Sequence, residues 1–166
     1  NMAHRFTVNS TIQGVSIEQF KQLVANTALH EAVCRRIPGE KLEIIESKMS
    51  GDIYTLRRAY NLDVNLPDMA KKFLKDAFRV KRTDVTDLAA LTSNITLGAN
   101  MPLEANCERL VTGDKQQIHI SLNWHVKVKV PLFSGMLEKH AETEIRKFSQ
   151  LEIQIVEDEL KKNLTA

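Results

Sequence analysis

Aromatic side chains are scarce, 5% of the 166 residues, and basic residues barely outnumber acidic ones, 23 to 21. The first shortage leaves few platforms on which bases could stack. The second leaves no concentrated basic face to follow a phosphate backbone, so nucleic acid is not an expected partner. No apolar run reaches the length that spans a bilayer, and the N-terminus has no basic-then-apolar signal pattern. The expected location is therefore cytoplasmic, with no integral membrane segment. The two cysteines, Cys34 and Cys107, show neither CxxC spacing nor the density of a secreted disulfide scaffold. They are expected to be reduced, buried thiols, with a disulfide as the open alternative. GxSxG, Walker A, Rossmann glycine and HExxH patterns are all absent. The sequence thus selects no catalytic residue, no metal-ligand set and no cofactor.

What is present is ordinary globular material, 43% hydrophobic and 27% charged. The length fits one domain, expected over 4–164. Asn1 ahead of Met2 reads as an expression scar with Met2 the natural start, and 1–3 as a disordered N-terminus. His4 to Ile12 alternates like a half-buried strand, and Gly14 breaks it. Ser16 with Gln19 makes a capping-box pattern. Ile17, Phe20, Leu23, Val24, Ala28, Leu29 and Val33 follow at helical spacing, as one helix or as a pair of short helices with a break near Asn26–Thr27, with a stop at Pro38-Gly39.

Strands are predicted over Leu42–Ser47, Ile53–Val64, Phe78–Leu88, Ser93–Met101 and Leu103–Val111. A short amphipathic helix carrying Met69, Phe73 and Leu74 is predicted from Pro67 to Ala77. Gln116–Val130 alternates strictly, with Ile118, Ile120, Leu122, Trp124, Val126, Val128 and Val130 on one face and His119 and His125 on the other. That pattern belongs to a long strand with one face buried and one wet. The last segment, Leu132–Leu164, repeats Phe133, Leu137, Ala141, Ile145, Phe148, Leu151, Ile155 and Leu160 at helical spacing. A helix of ~25–30 residues, about 40 Å long, needs a long apolar surface to lie on. Strands joined by turns imply an antiparallel meander, so the class is α+β.

Three stretches carry a resemblance: HRFTVNSTIQGVSIEQFKQLV, LRRAYNLDVNLPDMAKKFLKDAFRVKRTDVT and VKVKVPLFSGMLEKHAETEI. With the element order, they resemble the START-like helix-grip (SRPBCC) superfamily of polyketide cyclase-type and pathogenesis-related allergen-type proteins, from His4 to about Leu164. Within it they are similar to a bacterial branch of uncharacterised function. The resemblance implies a curved antiparallel sheet of about six to seven strands wrapped around the C-terminal helix. It also implies a cavity between them for lipid, sterol or polyketide-like molecules, and it transfers no set of active residues.

The residues supply candidates for such a cavity. Its walls would be Tyr54, Leu56, Tyr60, Val80, Leu122, Trp124, Leu137, Ala141, Ile145 and Phe148, with a mouth near Pro67–Phe78. Arg58, Arg82 and Arg109, with Asp84, lie in phase with buried faces. An unpaired buried charge costs several kcal/mol, so each needs a partner. Arg58 and Arg82 are candidate anchors for a ligand carboxylate or carbonyl. The competing readings are a structural bridge to Asp84, or a bulge that returns these groups to water. His140 and Glu144 sit one turn apart as an acid–base pair or a solvated helix edge. His119 and His125 read as surface residues. Lys71, Lys72, Lys75, Arg79, Lys81 and Arg82 make a basic stretch, either a solvated face or a surface for a membrane or an anionic partner. The leading expectation is a non-enzymatic binder or carrier of an apolar small molecule. The alternatives are a cyclase or hydratase using His140–Glu144 or Asp84 as base, and an interaction module with a filled core. The sequence leaves oligomeric state open.

Overall fold

The structure, a computed structural model, describes residues 3–164. The readings made for Asn1 and Met2 lie outside the described residues. The elements run β1 (His4–Gln13), α1 (Ile17–Val24), α2 (Thr27–Arg36), β2 (Glu40–Ser50), β3 (Ile53–Asn61), α3 (Asp68–Lys71), β4 (Arg79–Asp87), β5 (Thr92–Ala99), β6 (Met101–Gly113), β7 (Gln117–Val128) and α4 (Ser134–Leu164). The strands form an antiparallel sheet of order β1-β7-β6-β5-β4-β3-β2. Apart from the β1–β7 pair, each strand lies beside its sequence neighbour, as short turns require. The sheet is open and curved, and α4 lies across it against β1 and β7.

β7 is held on both sides, by β1 and β6, and its alternation is nearly complete: Ile118, Ile120, Leu122, Trp124, Val126 and Val128 are all buried. Ser16 caps α1 through the reciprocal box with Gln19, and the Asn26 side chain accepts from the Ala28 amide to start α2. The two helices close one end of the sheet. Phe20 and Val24 enter the main core, while Leu29, Val33 and Cys34 pack with Tyr60, Val80 and Ile155 in a second cluster.

Four expectations are corrected. β3 stops at Asn61 rather than Val64, because its partner β4 begins at Arg79, opposite Asn61, and leaves later residues nothing to pair with beyond one Leu62–Phe78 bond. The residues after it peel off as a loop. α3 is a single turn rather than a helix reaching Ala77. Ala70 is its buried residue, whereas Phe73 is 38% exposed, and a short lysine-rich helix without a buried face does not propagate. Phe133 falls just before α4, and it and Leu151 stand outside the buried stripe. The helix turns Ile153 and Leu160 to the main core and Ile155 to the α2 cluster, which leaves Leu151 on the far side. β2, expected over Leu42–Ser47, is longer, and as an edge strand it carries register shifts between Glu40 and Glu43 and between Ile44 and Glu46.

Candidate functional site

Pairing between β3 and β4 runs without a bulge from Ile53↔Asp87 to Asn61↔Arg79. No register shift therefore carries the charged residues to water, and Arg58, Arg82 and Asp84 are 3%, 7% and 3% exposed. Arg58 and Arg82 are cross-strand neighbours, a pairing of like charges that is unfavourable by itself. Asp84 relieves it. Arg82 donates from Nε and Nη2 to the two Asp84 oxygens at 2.8 and 3.0 Å, and Arg58 Nη2 lies 3.9 Å from Asp84 Oδ2. From α4, Glu152 accepts from Arg82 Nη1 at 3.0 Å and Nη2 at 3.3 Å.

Burial opposes ionisation of Asp84, but Arg82 and then Arg58 outweigh it and hold the carboxyl well below the usual carboxylate range. Glu152 is lowered by the same guanidinium groups against the same opposition. Burial also opposes the charge on Arg82, yet Asp84 and Glu152 raise it well above the ordinary arginine value. His30 is held neutral beside this group, lowered to about 4 by burial and then by Arg58. Its Nε2–H donates to the Val24 carbonyl at 2.9 Å. Both thiols are free and buried, and burial pushes Cys107 up to about 12.

Between this charged cluster and α4 lies a mainly apolar cavity of about 130 Å³. The sheet contributes Tyr60, Val80, Leu97, Ala105 and Trp124, and α4 contributes Leu137, Ala141, Ile145 and Phe148. Arg82, Ser149 and Glu152 bring polarity to the lining. The loop after β3 supplies Leu62, Leu66 and Pro67 along one edge, with Ala70 and Phe78 beside them. That loop is clipped to α4. The Asn65 amide donates to Glu144 Oε1 at 2.6 Å, and His140 Nε2–H donates to the Asn65 carbonyl. A smaller recess shares Arg82, Trp124, Ser149 and Glu152 with the main cavity and is lined further by Phe20, Leu122 and Arg109.

The residues singled out from sequence fall in three places. Tyr60, Val80, Arg82, Trp124, Leu137, Ala141, Ile145 and Phe148 line the cavity. Leu122 lines the recess. Tyr54, Leu56 and Arg58 are buried in the wall outside either lining. The histidines His119 and His125 lie on the outer face of β7, and His119 Nδ1 is 2.8 Å from Thr11 Oγ1. Glu152 and Ser149 went unrecognised, although the pattern contained them: Glu152 lies four residues beyond Phe148, and Ser149 four beyond Ile145, on the inner face. No three His, Cys, Asp or Glu residues gather as a metal site among the described residues.

A curved antiparallel sheet closed over a long C-terminal helix defines the START-like helix-grip class. The backbone is similar to the protein TTHA0849 of Thermus thermophilus, with a TM-score of 0.67 and 12% identity over 96% of this chain and 99% of that one. It is similar to the Zhui aromatase/cyclase of a Streptomyces species, with a TM-score of 0.68 and 13% identity over 97% and 96%. It is also similar to a START superfamily protein of Mycobacterium smegmatis, with a TM-score of 0.58 and 13% identity over 96% and 98%. At such identities the likeness is one of fold. Within the class, residues 7–159 match the family described as Protein of unknown function (DUF2505), and the chain belongs to that family. No curated protein matches its sequence.

Proposed function

We propose that this protein binds or carries an apolar small molecule, of lipid, sterol or polyketide-like kind, between the sheet and α4. The carrying observation is the cavity itself: apolar side chains from the sheet and one helix surround it, and few polar groups interrupt them. Small-molecule sites usually have that composition. The wall residues of the proposal are Tyr60, Val80, Trp124, Leu137, Ala141, Ile145 and Phe148, with Leu122 deeper and Tyr54, Leu56 and Arg58 supporting from behind.

The state of the candidate bases supports carrying over catalysis. Asp84 is engaged by Arg82 through both oxygens, and a carboxylate held so far below its usual range is a weak proton acceptor. His140 and Glu144 border the cavity, but both hold the Asn65 backbone.

Native mass spectrometry of protein purified from its source is the direct test, with displacement of a fluorescent apolar dye by fatty acids and sterols alongside. Co-purifying small molecules, or displacement, is the expected result. A clean apo mass together with no displacement by any compound overturns the reading.

A further inference from the structure

The geometry points to an anion subsite at the recess end of the cavity, centred on Arg109, which selects amphiphiles carrying a carboxylate over their neutral counterparts. This inference rests on the cavity binding an apolar molecule and adds the chemistry of that molecule's head.

The first support is the charge balance. Arg58, Arg82 and Arg109 face two carboxylates, Asp84 and Glu152, within one mutually interacting cluster. His30 adds no charge, because its imidazole is kept neutral. One positive charge is therefore left over, and the ion pairs say which: Arg58 Nη2 lies 3.9 Å from Asp84 Oδ2, within ion-pair reach. Arg82 spends its donors on Asp84 and Glu152. Arg109 meets no carboxylate. Its Nη2 donates to the Ser93 hydroxyl at 2.8 Å, and its guanidinium carbon lies 5.9 Å from the centre of the Phe20 ring. Burial draws it below the ordinary arginine value, and Asp84 offsets that only in part.

The second support is independent of charge. Among the described residues, Arg109 Nε and Trp124 Nε1 are buried donors without a hydrogen-bond partner, and Arg58 Nη1 is another in the wall behind. Leaving such donors unpaired is unfavourable. Arg109 and Trp124 both line the recess, which shares Arg82, Trp124, Ser149 and Glu152 with the wall of the apolar cavity. Two unpaired donors and an excess cation beside an apolar cavity suit one chemistry: a monocarboxylate head with a hydrocarbon body behind it. Glu152 stands at the junction and works against an anion, but Arg82 already holds it. Arg82, the earlier candidate anchor, thus sets the shape of the site, while Arg109 is the group left to meet the ligand.

The test compares dodecanoic acid with methyl dodecanoate, titrated against the intact protein near neutral pH by calorimetry or tryptophan fluorescence. A hydrogen bond to a charged partner is about twice as strong as a neutral one, so the acid is expected to bind about tenfold more tightly or better. Arg109→Met should bring the two affinities together. Its folding is expected to survive, because the remaining cluster balances two arginines against two carboxylates, and Ser93 keeps its 2.8 Å bond to Thr86. Arg109→Lys, which keeps the charge, should retain part of the preference. Equal binding of acid and ester by the unaltered protein overturns the anion subsite and leaves the cavity reading intact. Failure of both to bind, with no dye displacement, removes both. An acid preference that Arg109→Met leaves unchanged also overturns the assignment, since the selectivity would then lie elsewhere.

Discussion

His30 sits where three influences meet. Its ring is buried behind Tyr54, with centroids 6.4 Å apart, its Nε2–H is committed to Val24, and the Arg58 and Arg82 guanidinium groups oppose a further positive charge while Asp84 favours one. Burial is the largest of these, and the outcome is a folded-state value of about 4 against an ordinary 6.5. The sign follows from linkage. The unfolded chain takes up a proton on this residue at a pH where the folded chain does not, so stability is fully present above about 6.5 and falls as pH drops toward 4. A lowering of that size corresponds to roughly 3 kcal/mol across the window. Asp84 and Glu152 have lowered values, so their contributions are lost only at more acidic pH, as each carboxylate protonates. Between about 4.5 and 6.5 the imidazole is thus separable from them. In urea-unfolding midpoints taken across that range, His30→Gln should flatten the slope while keeping a donor for Val24. Identical slopes in parent and variant would refute the assignment.

Among the elements, the loop that follows β3 is tied to α4 by two hydrogen bonds at the Asn65 backbone. It leaves the sheet after Asn61 because β4 has no further residues to offer, and the bonds from Glu144 and His140 to Asn65 fasten it to α4. Leu62, Leu66 and Pro67 edge the cavity, so those bonds fasten one of its edges to α4. Glu144→Ala should remove one of them at a cost of about 1 kcal/mol, leaving the sheet undisturbed. Hydrogen exchange at residues 62–67 should then quicken by about fivefold, and uptake of a bound dye should speed with it. Unchanged protection of 62–67 would show that packing, not the latch, holds the loop. The latch also marks the limit of what the sequence carries. Strict alternation on β7, the Ser16–Gln19 box and the apolar stripe of α4 are local periodicities, and each was readable because neighbours in sequence share a face. The in-phase arginines of β3 and β4 were readable for the same reason. Asn65 meets Glu144 across 79 residues through its backbone, where no side-chain pattern signals the contact. The end of β3 was equally hidden, since it is set by where β4 starts and not by the residues of β3. Arg109's position as the excess cation needed Glu152, whose partnership with Arg82 exists only once α4 lies on the sheet.

Over the molecule as a whole, the cavity is bounded on one side by the sheet and on the other by a 31-residue helix. A ligand there touches both layers at once, so its binding energy adds to the contacts that keep α4 on the sheet. Unfolding must expose that surface, and linkage then requires the melting temperature to rise with ligand concentration. At a free concentration of about one hundred times Kd the gain is ~2.7 kcal/mol. For a chain of this size that corresponds to roughly 5–10 °C. Trp124, the single tryptophan, lines both the cavity and the recess and is 4% exposed. Its emission should therefore respond to the same titration before any heating. The two readouts constrain each other: a compound that raises the melting temperature through this cavity must change Trp124 emission with the same midpoint. A rise in melting temperature without any change in emission would place the stabilising molecule elsewhere on the surface. A change in emission without a rise would mean that the compound binds the folded and unfolded chains alike. Phe148→Trp, on the α4 side of the cavity, should repeat the titration from the opposite wall, and agreement between the two reporters would establish that one occupant bridges helix and sheet.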